Sequence, residues 1–296
     1  MAPDNAADEF LRHRARLLGV AYRLLGSMWD AEDVVSEVMV RWLRVDRSEI
    51  REPVAFLTTI VSRLALDQLK SARVTRQHYV GPWLPEPALT ESADLGPLDT
   101  VELRESVSLA TLHVMEQLTP PERGVFVLRE AFDFPFAQIA EILDITETSA
   151  RQHFHRAQQR IADDTTRFHA DPEEHATLLD RFLHAVRTGD LAELEQLLAA
   201  DAIVYSDGGG RSRAAIRAIT GRANVVKFIR GLVRRFPLAP DVQIIEANGL
   251  PAAMLAFGDQ TELLTIEVRD QRIRAIYGII NPDKLSYLDR QLASRT

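Results

Sequence analysis

The sequence contains no cysteine, which excludes a disulfide framework and any thiolate metal site. It also lacks a long apolar run and an N-terminal charged-then-apolar segment, so neither a membrane span nor a signal peptide is expected. A soluble cytoplasmic protein is the expectation. Basic residues are in the minority: 35 Lys and Arg stand against 43 Asp and Glu, a net charge of -8. That balance runs against a surface that is basic throughout, as non-specific nucleic-acid binding favours, and turns attention to local charge. Arg51, Arg63, Lys70, Arg73 and Arg76 outnumber Glu52 and Asp67 around residues 51 to 80, whereas Asp30, Glu32, Asp33 and Glu37 make the preceding segment acidic. Such acidity serves a protein partner or keeps the chain off random DNA. No histidine follows His184, so acid–base chemistry in the last third would fall to Asp201, Asp207, Asp241, Asp259 or Glu262. Most of these lie near expected strand ends or turns, where carboxylates are usually solvated.

At 296 residues with 46% hydrophobic content, the chain has material for two or three domains. Helices are expected over Phe10–Leu25, Asp30–Leu43 and Pro53 to about Arg73, the last started by a proline. Residues 80–99, with Pro82, Pro85, Pro87 and Pro97, cannot hold a long helix and read as a linker. A second helical unit runs from about Thr100 to Phe168, with a helix starting at Thr119 and Pro120. From about Pro172 the texture becomes mixed: helices over Glu174–Arg187, Leu191–Ala199 and Asn224–Arg235, and strands at Ile203–Ser206 and Glu262–Arg269. In the last of these, Leu264, Ile266 and Val268 share one face, and Thr265, Glu267 and Arg269 the other, as on a half-buried antiparallel strand.

Residues 136–161, FAQIAEILDITETSARQHFHRAQQRI, read as two short helices around a tight turn. Ile139, Ala140 and Leu143 form one inner face, and Ala150, Phe154, Ala157 and Ile161 the other. Asp144 tolerates the left-handed backbone of the turn and Thr146 can N-cap the second helix. This leaves Thr148, Arg151, Gln152, His155, Arg156 and Gln159 outward, able to meet base edges and phosphates in a major groove. An ordinary solvated helix on a bundle carries the same local spacing.

The order of segments is more specific. A DAEDVV helix, a P-x-x-[FW]-L-T-T helix ending in LDxLKSAR, a linker, an LTPPER helix and an IAEIL-turn-helix resemble the extracytoplasmic-function (ECF) sigma factors of bacteria over residues 5 to 165. WLPEP at 83–87, DGGGR at 207–211 and NPDKL at 281–285 resemble the subgroup with a fused SnoaL-like C-terminal domain. The resemblance implies two all-α sigma domains followed by an α+β, cone-shaped SnoaL/NTF2-like domain. The boundaries are region 2 at 5–76, a Pro-rich linker at 77–104, region 4 at 105–168 and the C-terminal domain at 172–296.

It also implies roles. Asp30, Asp33, Glu37 and Trp42 would bind the clamp coiled coil of core RNA polymerase, whose flap region is a second expected contact. Phe56, Arg63, Arg73 and Arg76 would engage and open the promoter -10 element by stacking and phosphate neutralisation. Ser149, Arg151, Gln152, His155 and Arg156 would read the -35 element. Trp83, Leu84 and Pro85, with Asp207, Gly208, Gly209, Gly210 and Arg211 and with Asn281, Pro282, Asp283, Lys284 and Leu285, would join the C-terminal domain to the linker or the sigma domains and modulate activity in cis. Ser36 replaces the Gln frequent in this family's acidic helix, and Asp144 the usual turn Gly. No cofactor, metal, catalytic residue or membrane partner is implied, and the free protein is expected to be a monomer. A small apolar ligand in the C-terminal domain remains open. Two rivals stay beside this reading: a ligand-sensing helix-turn-helix regulator, and an isomerase or cyclase fused to a DNA-binding module.

Overall fold

The computed structural model describes residues 3–48, 50–76, 78–90, 95, 104, 106–164, 171–235, 241–257 and 260–294. The expected helix start at Thr100, the boundary at Phe168 and the candidate Asp259 lie outside the described residues. The chain divides into two compact units: residues 1–77 with 90–166, and residues 78–89 with 167–296. The Pro-rich linker is thus split, its first half belonging to the C-terminal unit.

The first unit is all helix among its described residues: α1 (Pro3–Leu25), α2 (Met28–Arg44), α3 (Pro53–Arg76), α4 (Leu109–Met115), α5 (Pro120–Glu130), α6 (Phe136–Leu143) and α7 (Glu147–Asp164). Local chemistry sets the boundaries. Ser27 caps α2 by accepting from the Asp30 amide, and Thr119 and Glu122 form a reciprocal capping box ahead of the two prolines that begin α5. The α1–α3 core buries Leu18, Ala21, Val38, Leu57 and Val61. One charged side chain of these helices, Arg23, is buried here as well. Arg23 donates to Ser106 Oγ at 2.9 Å and to the Gly19 carbonyl at 3.0 Å, and its burial lowers its pKa to about 10.

The second unit is α+β. It contains α8 (Pro172–Thr188), α9 (Leu191–Leu197), β1 (Leu198–Asp207), β2 (Ile219–Thr220), α10 (Arg222–Arg235), β3 (Asp241–Ala247), β4 (Leu250–Phe257), β5 (Gln260–Arg269), β6 (Arg272–Ile279) and α11 (Pro282–Ala293). The strands form one mixed sheet in the order β2-β1-β6-β5-β4-β3, with β1 and β6 parallel and the other pairs antiparallel. One face, carrying Val204, Ala253, Leu255, Leu264, Ile266 and Ile276, packs with Leu178, Phe182, Leu194 and Ile229 from α8, α9 and α10.

The expectation of a half-buried β5 needs correction. Leu263 and Thr265 on its other face are also buried, and Glu267 accepts from the Tyr277 hydroxyl at 2.8 Å. Alternating polarity marked the two faces correctly, but tertiary packing covers both.

Candidate functional site

The helix-turn-helix forms as its local chemistry dictates. Asp144 ends α6 at φ 54°, ψ 49°, its amide bonding to the Ala140 carbonyl; the Ile145 amide bonds to the same carbonyl at 3.0 Å. The Thr146 hydroxyl accepts from the Ser149 amide at 3.1 Å. Ala150 and Ala157 are fully buried, and Phe154 fills the space between the helices, edge-on to Phe136 at 5.4 Å. Arg151, Gln152, His155 and Arg156 are exposed, and Ser149 is half-buried at the helix start. Arg151 lies over the Phe136 ring at 4.7 Å and pairs with Glu147 at 2.5 Å, which holds its guanidinium along the outer face.

On α2, Asp33 and Glu37 are exposed and Asp30 is partly so. Three large apolar side chains are exposed on the same helix: Trp29 at 38%, Val40 at 39% and Leu43 at 47%. Trp42 departs from expectation. It is 1% exposed, donates from its indole nitrogen to the Ala6 carbonyl at 2.9 Å, and its ring lies 6.1 Å from that of Phe56. A partner docking on the surface cannot reach it, so Trp42 is a core residue and the half-buried Phe56 packs on it.

The α3 arginines are engaged within the first unit. Arg63 donates to the carbonyls of Ile142 at 2.8 Å and Glu141 at 3.0 Å, the C-terminal turn of α6, where the helix dipole favours a cation. Arg73 donates to the Leu118 carbonyl at 3.2 Å. Arg76 donates to the Leu25 carbonyl at 2.7 Å and pairs with Glu116, which also pairs with Arg123. Burial alone would raise the Glu116 pKa; the two arginines outweigh it and hold the carboxyl below its ordinary value. At Gly124 on α5 an added Cβ would lie 3.0 Å from Leu66 on α3, so α3 and α5 approach closely there.

In the second unit the three short motifs meet. Asp207, whose side chain is 0% exposed, pairs with the Lys284 ammonium at 2.7 Å. It also accepts from the Tyr79 hydroxyl at 2.5 Å and the Leu84 amide at 2.8 Å. Lys284 donates to the Leu84 carbonyl and sits 4.0 Å from the Trp83 ring centroid and 4.8 Å from that of Tyr79. Burial, then the bond to Asp207, pushes the Tyr79 phenol well up. Asn281 caps α11 and donates to the Tyr79 hydroxyl at 2.9 Å.

Gly209 and Gly210 take φ 56° and 72°, and a Cβ on Gly209 would collide with Asn281 and Tyr79. The DGGGR segment is therefore a tight turn packed by side chains. Further along, Ala88 and Asn248 exchange two hydrogen bonds at 3.1 and 2.9 Å, and the Leu89 amide donates to Gln291 at 2.9 Å. Pro85 and Leu285 are buried, while Pro282 is exposed. Arg211 and Asp283 pair at 3.2 Å on the surface.

Models of Sigma-70 region 2 and Sigma-70 region 4 match residues 10–75 and 108–161. The ECF RNA polymerase sigma factor SigJ of Mycobacterium tuberculosis is 38% identical over 289 residues, which cover 94% of this chain and 92% of that protein. The chain belongs to the ECF RNA polymerase sigma factors. The crystal structure of SigJ matches with a TM-score of 0.77 at 36% identity, covering 95% of this chain and 98% of that one. The probable ECF sigma factor SigI of the same organism is 36% identical over 188 residues, 63% of this chain and 64% of its own length.

As an ECF sigma factor the protein binds core RNA polymerase and promoter DNA and directs transcription initiation; it is an initiation factor and not an enzyme. No helix among its described residues is long and apolar enough to cross a membrane. Among the described residues no cluster of His, Asp and Glu could hold a metal ion. Sequence reasoning missed four features of this sigma factor. They are the exposed Trp29, Val40 and Leu43 beside the acids of α2, the Tyr79 hydroxyl, the burial of the Lys284–Asp207 pair, and the intramolecular partners of Arg63, Arg73 and Arg76. Only the apolar outward positions of α2 carried a signal in the sequence, since Val40 and Leu43 fall off the seam through Val34, Val35, Val38 and Trp42.

Proposed function

We propose that this sigma factor grips its promoter in two parts and that its C-terminal domain governs how far apart those parts can move. The acidic and apolar outer face of α2, with Asp30, Asp33 and Glu37 beside Val40 and Leu43, docks on the polymerase clamp coiled coil, and the helix-turn-helix region meets the flap. Arg151, Gln152, His155 and Arg156, with Ser149 at the helix start, read the -35 element. Arg63, Arg73 and Arg76 neutralise -10 phosphates once they leave their present partners, so α3 and the α5–α7 region separate before the promoter opens. Asp30 lies at the acidic start of α2, where Ser27 holds the helix end in register.

The observation that carries the regulatory half is the Asp207 carboxylate holding Tyr79, Leu84 and Lys284 together. Residues 78–89 belong to the chain joining α3 to α4, and pinning them shortens the free tether between the two DNA-binding parts. Each residue released adds up to about 3.4 Å of reach. A C-terminal domain covalently attached in this way acts at high effective concentration. The protein works in the cytoplasm as a monomer until polymerase engages it.

The test is in vitro transcription with core polymerase, on promoters selected by the bound complex, comparing the full chain with Lys284→Met and with chains ending near residue 168 or just before Asn281. Promoter-dependent transcript that changes in amount on releasing the linker is expected. Output and core affinity indifferent to every change would defeat the regulatory role, while binding to duplex operator without polymerase would favour a conventional regulator.

A further inference from the structure

The C-terminal domain contains a cavity of about 310 Å³ between the sheet and α8 and α10, lined by Phe182, Val204, Phe228, Leu255, Leu264 and Ile276 among other, mostly apolar, side chains. That volume is at the lower end of small-molecule sites, roughly 300–1,000 Å³. It is about twice the ~150 Å³ hole that takes up benzene, which suits two fused rings with a short substituent.

Glu262 is the only carboxylate among the described lining residues. It enters from β5, two residues before Leu264, which lies opposite Gly278 on β6. Its carboxyl oxygen occupies the place where a Cβ on residue 278 would stand. The missing side chain at Gly278 therefore makes the niche that holds the acid against the cavity wall. Among the described residues the carboxyl makes no hydrogen bond or ion pair, and desolvation alone raises its pKa to about 7. A carboxylic acid kept neutral by an apolar site is a hydrogen-bond donor aimed into it. Arg213 and Arg235 also line the cavity and are exposed; they disfavour a cation.

We propose that this cavity is a ligand site for an uncharged, largely apolar molecule of fused-ring size carrying a carbonyl oxygen, which accepts a hydrogen bond from the Glu262 carboxyl. The sequence had placed Glu262 among solvated carboxylates; the cavity gives it a purpose distinct from promoter binding and requires no turnover.

The probe is 6-propionyl-2-(dimethylamino)naphthalene, a neutral naphthyl ketone whose emission shifts to the blue on leaving water, titrated into the full-length protein. One saturable site with a blue shift is expected at pH 6. Affinity should fall by up to about 30-fold at pH 8.5 as an acid of pKa about 7 ionises. Glu262→Gln retains a donor, so binding should persist with its pH dependence gone. Gly278→Ala displaces the carboxyl and should weaken binding at pH 6, and Val204→Trp fills the cavity and should abolish it.

The absence of a saturable site overturns the proposal. So does a pH dependence that survives Glu262→Gln, binding indifferent to Val204→Trp, or displacement of the ketone by 1-naphthylmethylammonium that strengthens above pH 7, which would mark a cation site instead. No polymerase is present in the assay, so its failure leaves the promoter reading standing.

Discussion

Replacing Lys284 with Met tests whether the linker is held by a dry, coupled ion pair. The Lys284 side chain is 7% exposed and that of Asp207 is 0%, so the substitution strands a buried carboxylate. Removing one partner of such a pair costs about 3–5 kcal/mol. Asp207 keeps two donors, the Tyr79 hydroxyl and the Leu84 amide, which points to the lower end of that range. Against this, the Leu84 carbonyl loses the ammonium that it accepts from, a loss of about 1–3 kcal/mol if no water replaces it. The contact of the cation with the Trp83 ring also goes, about 1–2 kcal/mol when desolvated. These contributions overlap and do not add. A loss of about 3–4 kcal/mol is expected, felt mainly where residues 78–89 dock.

Hydrogen exchange reads it locally, because the Leu84 and Ala88 amides are bonded across the dock. Both should exchange at least about 100-fold faster, at about 1.4 kcal/mol per factor of ten. Asp207→Asn should cost less, since the ammonium keeps the Leu84 carbonyl and two rings. The double variant Lys284→Met/Asp207→Asn should be more stable than the sum of the single losses by at least about 1.5 kcal/mol, because neither charge is then left alone. Single losses below about 1 kcal/mol that simply add would refute the reasoning, showing the pair to be solvated and the dock to rest on Leu84 and Pro85 alone.

Arg151→Ala and Gln152→Ala should each cost about 1–3 kcal/mol on the preferred -35 sequence and flatten preference at one or two positions, read by transcription from a randomised -35 library. A uniform loss across all sequences would reassign them to phosphate contact. Glu116→Gln should destabilise the first unit by about 3 kcal/mol. Because the Glu116 carboxyl is held below its ordinary value of 4.5, its contribution is complete above that value and is lost as pH falls through the lower folded one. Chemical denaturation of the variant should lack that acid-side loss. Glu262 behaves oppositely: its folded value of about 7 exceeds the ordinary 4.5, so stability should decline as pH rises between the two, by roughly 3 kcal/mol in total. Glu262→Gln should flatten that decline in thermal melts, and an unchanged slope would show that the acid is hydrated.

What the sequence disclosed was local. The α6–turn–α7 hairpin was legible because its signals lie within a few residues of each other: the apolar spacing, Asp144 able to take a left-handed turn, and Thr146 able to cap. The proline at 53 and the Thr119-Pro120 pair marked helix starts for the same reason. The sheet was half legible. Alternation found β5, but β1 begins at Leu198, inside the segment read as the end of a helix, because LLAA carries no strong preference and pairing with β6 decides it.

The sites were less legible because they depend on partners remote in sequence. Leu84 and Asp207 are 123 residues apart, and Arg63 and Ile142 are 79 apart. Nothing near Arg63 announces that the end of another helix will occupy its guanidinium. The spacing puts Trp42 in the apolar seam with Val34, Val35 and Val38, and its ring does turn inward to Ala6; it is the clamp contact implied by the resemblance that the burial overturns. Glu262 looked like a solvated strand-end acid because the space it borrows is the missing side chain of Gly278, on a neighbouring strand.

If Arg63 contacts promoter phosphates as proposed, its engagement by the last carbonyls of α6 would turn DNA affinity into a competition. A helix terminus and a phosphate would then contend for the same guanidinium, and only molecules in which the terminus had let go would contribute to binding. The apparent dissociation constant would be the intrinsic one divided by the open fraction. If closure is favoured by about 3 kcal/mol, roughly one molecule in 150 is open and free-protein affinity falls by that factor. Silence in the absence of polymerase would thus follow from the chain's own resting equilibrium, and anything that stabilises the open form, polymerase foremost, would restore the whole factor at once.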